Sequence, residues 1–122
     1  MVTILVVEDN PMNMELTVDL LEADGYDVEQ AEDGPMALSL IKDKKVDLIL
    51  LDMQLPKMDG LEVLSRLKNS EETKDVPVVA LTAHSMRGDE GKFINAGCNG
   101  YISKPIDIHE FRKTVAGYVS NK

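Results

Sequence analysis

Five strand-length apolar runs, each followed by a stretch with helical spacing, restrict this chain to very few architectures. The runs are Thr3–Val7, Tyr26–Ala31, Val46–Asp52, Pro77–Thr82 and Gly100–Ser103. Within the third, Leu48-Ile-Leu-Leu51 places four apolar residues in a row, the mark of a strand buried on both faces at the centre of a parallel sheet. Tyr26–Ala31 is more polar and suits a position near an edge. Strict strand–helix alternation implies a parallel sheet, right-handed crossovers and helices on both faces, an α/β domain.

The intervening segments carry helix signals. Asn10 is a good N-cap and Pro11 suits the first helical position, where its missing N–H costs nothing. Met14, Val18 and Leu21, flanked by Leu16 and Leu20, keep helical spacing to about Asp24, and Gly25 is the stop. Asp33-Gly34 reads as a turn before a second helix from Pro35 to Lys44, with Met36, Leu40 and Ile41, or Ala37 and Leu40, facing inward. Asp59-Gly60-Leu61 opens a third helix with Leu61, Leu64 and Leu67 as its inner stripe, and Asn69–Asp75 reads as a solvated loop. Ser85 to Ala96 forms a fourth helix closed by Gly97. It is the softest of the set, since Gly88 and Gly91 each cost roughly 0.5–1 kcal/mol relative to Ala. Asp107 caps a last helix in which Phe111, Val115 and Tyr118 or Val119 face in.

The 122 residues suit one domain, 1–122, with no internal repeat and no linker. A net charge of −9 is unfavourable for binding nucleic acid or anionic lipid. Cys98 is the single cysteine, so no internal disulfide forms. No apolar stretch approaches the ~18 residues of a membrane span, and the N-terminus lacks a basic signal-peptide region. A soluble, cytoplasmic domain is expected.

In a parallel sheet all strands end on one side, where the chemistry of such sheets collects. Glu8 and Asp9 follow the first strand, Asp52 ends the third, Thr82 the fourth, and Lys104 follows the fifth. Any one of these alone reads as a cap or a solvated charge; Glu8 and Asp9 also suit a helix N-terminus. All five at one rim point to a site. Carboxylates crowded together repel unless a cation joins them, and oxygen-only ligands suit Mg2+, with Mn2+ as an alternative occupant. Asp52 could then attack phosphorus and form an aspartyl phosphate, with Lys104 and the Thr82 hydroxyl holding phosphoryl oxygens and the Ala83 N–H available.

Glu8-Asp9-Asn10, Asp52 within Leu-Leu-Asp-Met-Gln-Leu-Pro, Asp59-Gly60, Leu81-Thr82-Ala83 and Ser103-Lys104-Pro105 together resemble the signature of response-regulator receiver domains, across the full chain. The resemblance implies a flavodoxin-like fold, five parallel strands in order 2-1-3-4-5 with five helices on two faces. It implies that Asp52 accepts phosphate from a phosphohistidine of a histidine kinase or phosphotransfer protein. Asp9 would bind Mg2+ directly and Glu8 through water, with Asp52 and the Gln54 backbone carbonyl completing the protein's share. Thr82, the Ala83 backbone and Lys104 would hold the phosphoryl group, and Pro105 is a cis-proline candidate. Thr82 and Tyr101 would form the switch, read by a protein target at the fourth helix, last strand and last helix. From its neighbours in the sequence alone, Tyr101 is equally a half-buried aromatic on a short edge strand.

Glu-Asp-Asn-x-x-Asn-Met, Leu-Leu-Glu-Ala-x-Gly-Tyr and Ala-Gly-Cys-x-x-Tyr-Ile-Ser-Lys-Pro-Ile bring the chain nearest to the DivK group of single-domain regulators. The first of these also resembles receivers attached to hybrid histidine kinases, so an excised module is the alternative. The initiating Met and early stop favour a whole regulator without an output domain, monomeric when unphosphorylated. Such a domain catalyses its own phosphorylation and slow dephosphorylation, and is not a multiple-turnover enzyme. A haloacid-dehalogenase-type hydrolase would need a second Asp two residues after the nucleophile, where this chain has Gln54. A flavodoxin would need neutral N–H donors where Glu8-Asp9-Asn-Pro stands. Gln54 and His84 are candidates for tuning hydrolysis. His109 reads as a surface residue, Cys98 as a small residue at a helix end without a basic partner, and the seven Met as packing.

Overall fold

The computed structural model describes residues 2–53, 60–82, 97–103 and 106–119. Its five strands are β1 (Thr3–Val7), β2 (Asp27–Ala31), β3 (Leu48–Asp52), β4 (Val78–Thr82) and β5 (Gly100–Ser103). They form one all-parallel sheet in the order β2-β1-β3-β4-β5. The most apolar runs take the inside positions: every residue of β3 and β4 is buried, whereas in β2 at the edge only Ala31 is. Four described helices flank the sheet: α1 (Pro11–Ala23), α2 (Gly34–Asp43), α3 (Gly60–Lys68) and α4 (Ile108–Val119). The helix expected over residues 85–96 lies outside the described residues.

Strand alternation divides the core in two. Ile4, Val6, Leu48, Leu50, Val79, Leu81 and Ile102 meet Met14, Val18 and Leu21 of α1 and Phe111, Val115 and Val119 of α4. Leu5, Val7, Ile49, Leu51, Val78 and Ala80 meet Ala37 and Ile41 of α2 and Val63, Leu64 and Leu67 of α3. The sheet is covered on both faces, which is why its central runs need no polar alternation.

The caps follow the sequence. The Asn10 side chain accepts from the N–H groups of Met12 and Asn13, and Gly25 takes φ +89° after α1. Asp107 Oδ1 accepts from the Glu110 N–H at 3.0 Å and opens α4.

Several inward assignments change. Asp33 is the N-cap of α2, accepting from the Met36 N–H at 2.9 Å, so Gly34 is helical instead of a turn. Ala37 and Ile41 then face the core, while Met36 in the first turn is 45% exposed. In α3, Val63 is fully buried and Leu61 only partly, because the stripe follows the crossover against β3 and α2. In α4 Phe111 and Val115 are buried as expected, and of the two alternatives it is Val119 that is buried; Tyr118 is half-buried and donates its hydroxyl to the Asn99 carbonyl at 2.6 Å. Thr17 is buried in α1, and its hydroxyl has no hydrogen-bond partner among the described residues. Thr73, within the loop expected to be solvated, is buried and donates to the Leu67 carbonyl at 2.7 Å, closing the end of α3.

Candidate functional site

Main-chain pairing assembles the site. Val7 of β1 pairs with Leu51 of β3, and one step further along lie Glu8 and Asp52, side by side. The Glu8 N–H is fixed to the Ala31 carbonyl at 3.0 Å, and the Met53 N–H to the Leu81 carbonyl at 3.0 Å. By alternation Asp52 continues the row of Leu48 and Leu50 towards the α1 and α4 face, as Glu8 continues Ile4 and Val6. One ligand oxygen from each of Glu8, Asp9 and Asp52 lies within 4.8 Å of the others.

Glu8 (1% exposed) and Asp52 (2%) are buried, while Asp9 is exposed. Two charges 4.8 Å apart interact by about 3 kcal/mol at an effective dielectric near 20, so the cluster is unfavourable to its own members. A small hard cation reverses that sign. The donor set is all oxygen, with one face open through Asp9, and it fits Mg2+, which takes one or two carboxylates and keeps several waters.

Thr82 ends β4, buried at 3% exposure, one residue past the Asp52–Leu81 pairing and opposite Ser103. Tyr101 pairs with Ala80 and is 42% exposed, so its ring projects from the edge strand. Glu8, Asp9, Asp52 and Thr82 are therefore gathered at one rim, with Tyr101 on the neighbouring edge. Gln54, Ala83, His84, Lys104 and Pro105 lie outside the described residues. His109 is exposed at the start of α4.

Sequence reasoning missed three features. A cavity of about 440 Å³ opens between α1, α2 and the end of β2; Glu8 and Asp9 line it together with Glu15, Asp19, Glu32 and Met36. The i, i+4 pair Glu15/Asp19 was a signal for its α1 wall, but nothing local placed Glu32 opposite. Gly60, at the head of α3, sits where an added Cβ would lie 2.6 Å from the Met53 Cα. The residue after Asp52 thus packs directly on that glycine. Cys98 does have a basic neighbour, Lys68, whose Nζ donates to Val76 O and Asn99 Oδ1, each at 3.2 Å. Burial nevertheless dominates and pushes the Cys98 thiol up to about 11, so it is no nucleophile; burial likewise lowers the Lys68 pKa.

No described helix is long and apolar enough to cross a membrane. Residues 4–116 match the family model of the response regulator receiver domain. The polar-differentiation response regulator DivK of Brucella anthropi is 44% identical over 119 residues, covering 98% of this chain and 97% of that one. Among solved structures, the receiver domain of a Pseudomonas aeruginosa sensor histidine kinase, with a magnesium ion coordinated in its active site cleft, superposes with TM-score 0.89 at 33% identity, covering 97% of each chain. A Saccharomyces cerevisiae response regulator's receiver domain, crystallised with the histidine phosphotransfer signalling protein upstream of it, gives TM-score 0.87 at 28% identity, covering 96% of this chain and 88% of that one. Motif order, sheet order and acid cluster agree, and the chain belongs to the response-regulator receiver family, the phosphoacceptors of two-component signalling.

Proposed function

We propose that Asp52 is the phosphoacceptor and that Glu8, Asp9 and Asp52, with the Gln54 carbonyl, hold Mg2+. The observation that carries this reading is the convergence of three carboxylates within 4.8 Å at the carboxyl ends of the strands. Mg2+, when bound, supplies the positive charge that lets an anionic phosphoryl group approach these acids. An Asp52 carboxylate oxygen attacks the phosphorus of a phosphohistidine; the O–P bond forms as the N–P bond breaks, and its electron pair returns to the imidazole. Burial of Asp52 fixes its direction of attack, which is the main contribution a protein makes to phosphoryl transfer.

Thr82, the Ala83 N–H and Lys104 receive the phosphoryl oxygens, and Thr82 with Tyr101 forms the switch. The outward ring of Tyr101 suits the unphosphorylated state, with an inward turn as the response. His84 and Gln54 tune hydrolysis. The donor is a histidine kinase or phosphotransfer protein, and the readout is protein contact at the segment 85–96, β5 and α4, without nucleic acid. Residues 1–122 act as a single, cytoplasmic receiver unit.

The test is labelling of the chain by a small acyl phosphate. Stoichiometric, Mg2+-dependent incorporation that disappears in Asp52→Asn is expected. Metal-independent labelling, or label retained in that variant, overturns the assignment.

A further inference from the structure

We infer that Asn10 is a positioning residue for the acid cluster, acting through the cap it places on α1. The observations form a closed circuit. Asn10 Oδ1 accepts from the N–H groups of Met12 at 2.9 Å and Asn13 at 3.1 Å, and its carbonyl accepts from the Met14 N–H at 2.9 Å. These bonds hold residue 10 extended, at φ −84° and ψ 118°. In that conformation its own N–H points back and donates to Glu8 Oε2 at 3.3 Å. The Glu8 N–H is held in turn by the Ala31 carbonyl at 3.0 Å.

The turn that carries both acids is therefore anchored at one end by the sheet and at the other by the Asn10 carboxamide. Asp9 lies between the anchors, exposed, so its main chain takes its course from this turn. The residue type matters as well. Asn, Asp and Ser cap helices about equally well, but Asp would add a fourth carboxylate one residue from Asp9. Asn supplies the cap without the charge.

This inference rests on the reading that the three acids hold a divalent cation, and its test is binding, not phosphorylation. The full chain is titrated with Mg2+ by amide chemical shifts or calorimetry, and thermal midpoints are measured with and without the ion. Asn10→Ala is expected to raise the Mg2+ Kd by up to about five-fold, the factor equivalent to one helix cap. The Mg2+-induced rise in midpoint should shrink accordingly. Asn10→Ser, which keeps the cap, should restore both quantities. A lowered midpoint with unchanged Kd makes Asn10 a plain helix cap and overturns the inference, as does a Ser variant that restores stability but not affinity. Failure of the underlying reading looks different: the parent chain then shows no Mg2+ binding that Glu8→Gln weakens.

Discussion

Replacing Gly60 by Ala tests whether the loop after Asp52 is held by main-chain packing. The new Cβ would stand 2.6 Å from Met53 Cα, 3.0 Å from its carbonyl oxygen and 3.1 Å from its carbonyl carbon. Carbon atoms pack at about 3.5–4.0 Å, so roughly 1 Å of displacement is required. Neither partner can rotate away, because both are backbone. Overpacking of this kind costs about 1–3 kcal/mol, and the better helix propensity of Ala returns roughly 0.5–1 kcal/mol. A net loss of about 1–2 kcal/mol lowers the thermal midpoint by roughly 3–10 °C in a domain of this size. Met53 directly follows Asp52, so the shift reaches the acceptor, and misplacement by about 1 Å can slow a positioned reaction up to ~100-fold. Thermal unfolding and labelling by a small acyl phosphate measure the two effects. Gly117 in α4 is the control: its added Cβ meets nothing within 4 Å, so Gly117→Ala should gain about 0.5–1 kcal/mol. A Gly60→Ala variant as stable as the Gly117→Ala one, with unchanged labelling, refutes the packing argument.

Thr17→Val removes a buried hydroxyl that has no partner among the described residues and should stabilise the chain by about 1 kcal/mol in urea unfolding, with labelling unaffected. Asp24 accepts a forked pair of bonds from Arg112, at 2.9 and 2.5 Å, and these hold its carboxyl below the ordinary value of 3.8. The stability this linkage gives is present above pH 3.8 and lost as pH falls through the lower folded value. The difference between the parent and Asp24→Asn should accordingly close in acid, and a gap that persists there excludes the linkage. Cys98 should resist an aromatic disulfide reagent at pH 8 in the native chain and react promptly in denaturant, since its thiol is pushed up to about 11.

The buried strands and the rim of acids were legible because each needs only local information. A run such as Leu48–Leu51 declares burial on both faces whatever its neighbours are, and parallel order alone brings the strand ends to one side. Helix caps were equally legible at Asn10 and Asp107, where a short polar residue precedes the helix. What escaped depends on tertiary placement. Met36 and Leu61 have the hydrophobicity of core residues, but the crossovers turn them partly outward; Ala37, the alternative to Met36, is buried, and Val63 replaces Leu61. Thr73 looks like any loop residue until the end of α3 offers it a carbonyl. Lys68 and Cys98 are thirty residues apart in sequence, and only the approach of α3 to the start of β5 makes them neighbours.

Because the pairing of Val7 with Leu51 and of Asp52 with Leu81 fixes the rim, the chain is unequally tolerant of insertions. An extra residue at Lys44 or Lys45, ahead of β3, can be absorbed by the connection that precedes the strand. The same residue inserted between Leu48 and Asp52 would slide the acceptor across the sheet to the side of α2 and α3, leaving Glu8 behind. Added backbone is therefore tolerated at the opposite pole, where it does not change which way Asp52 looks.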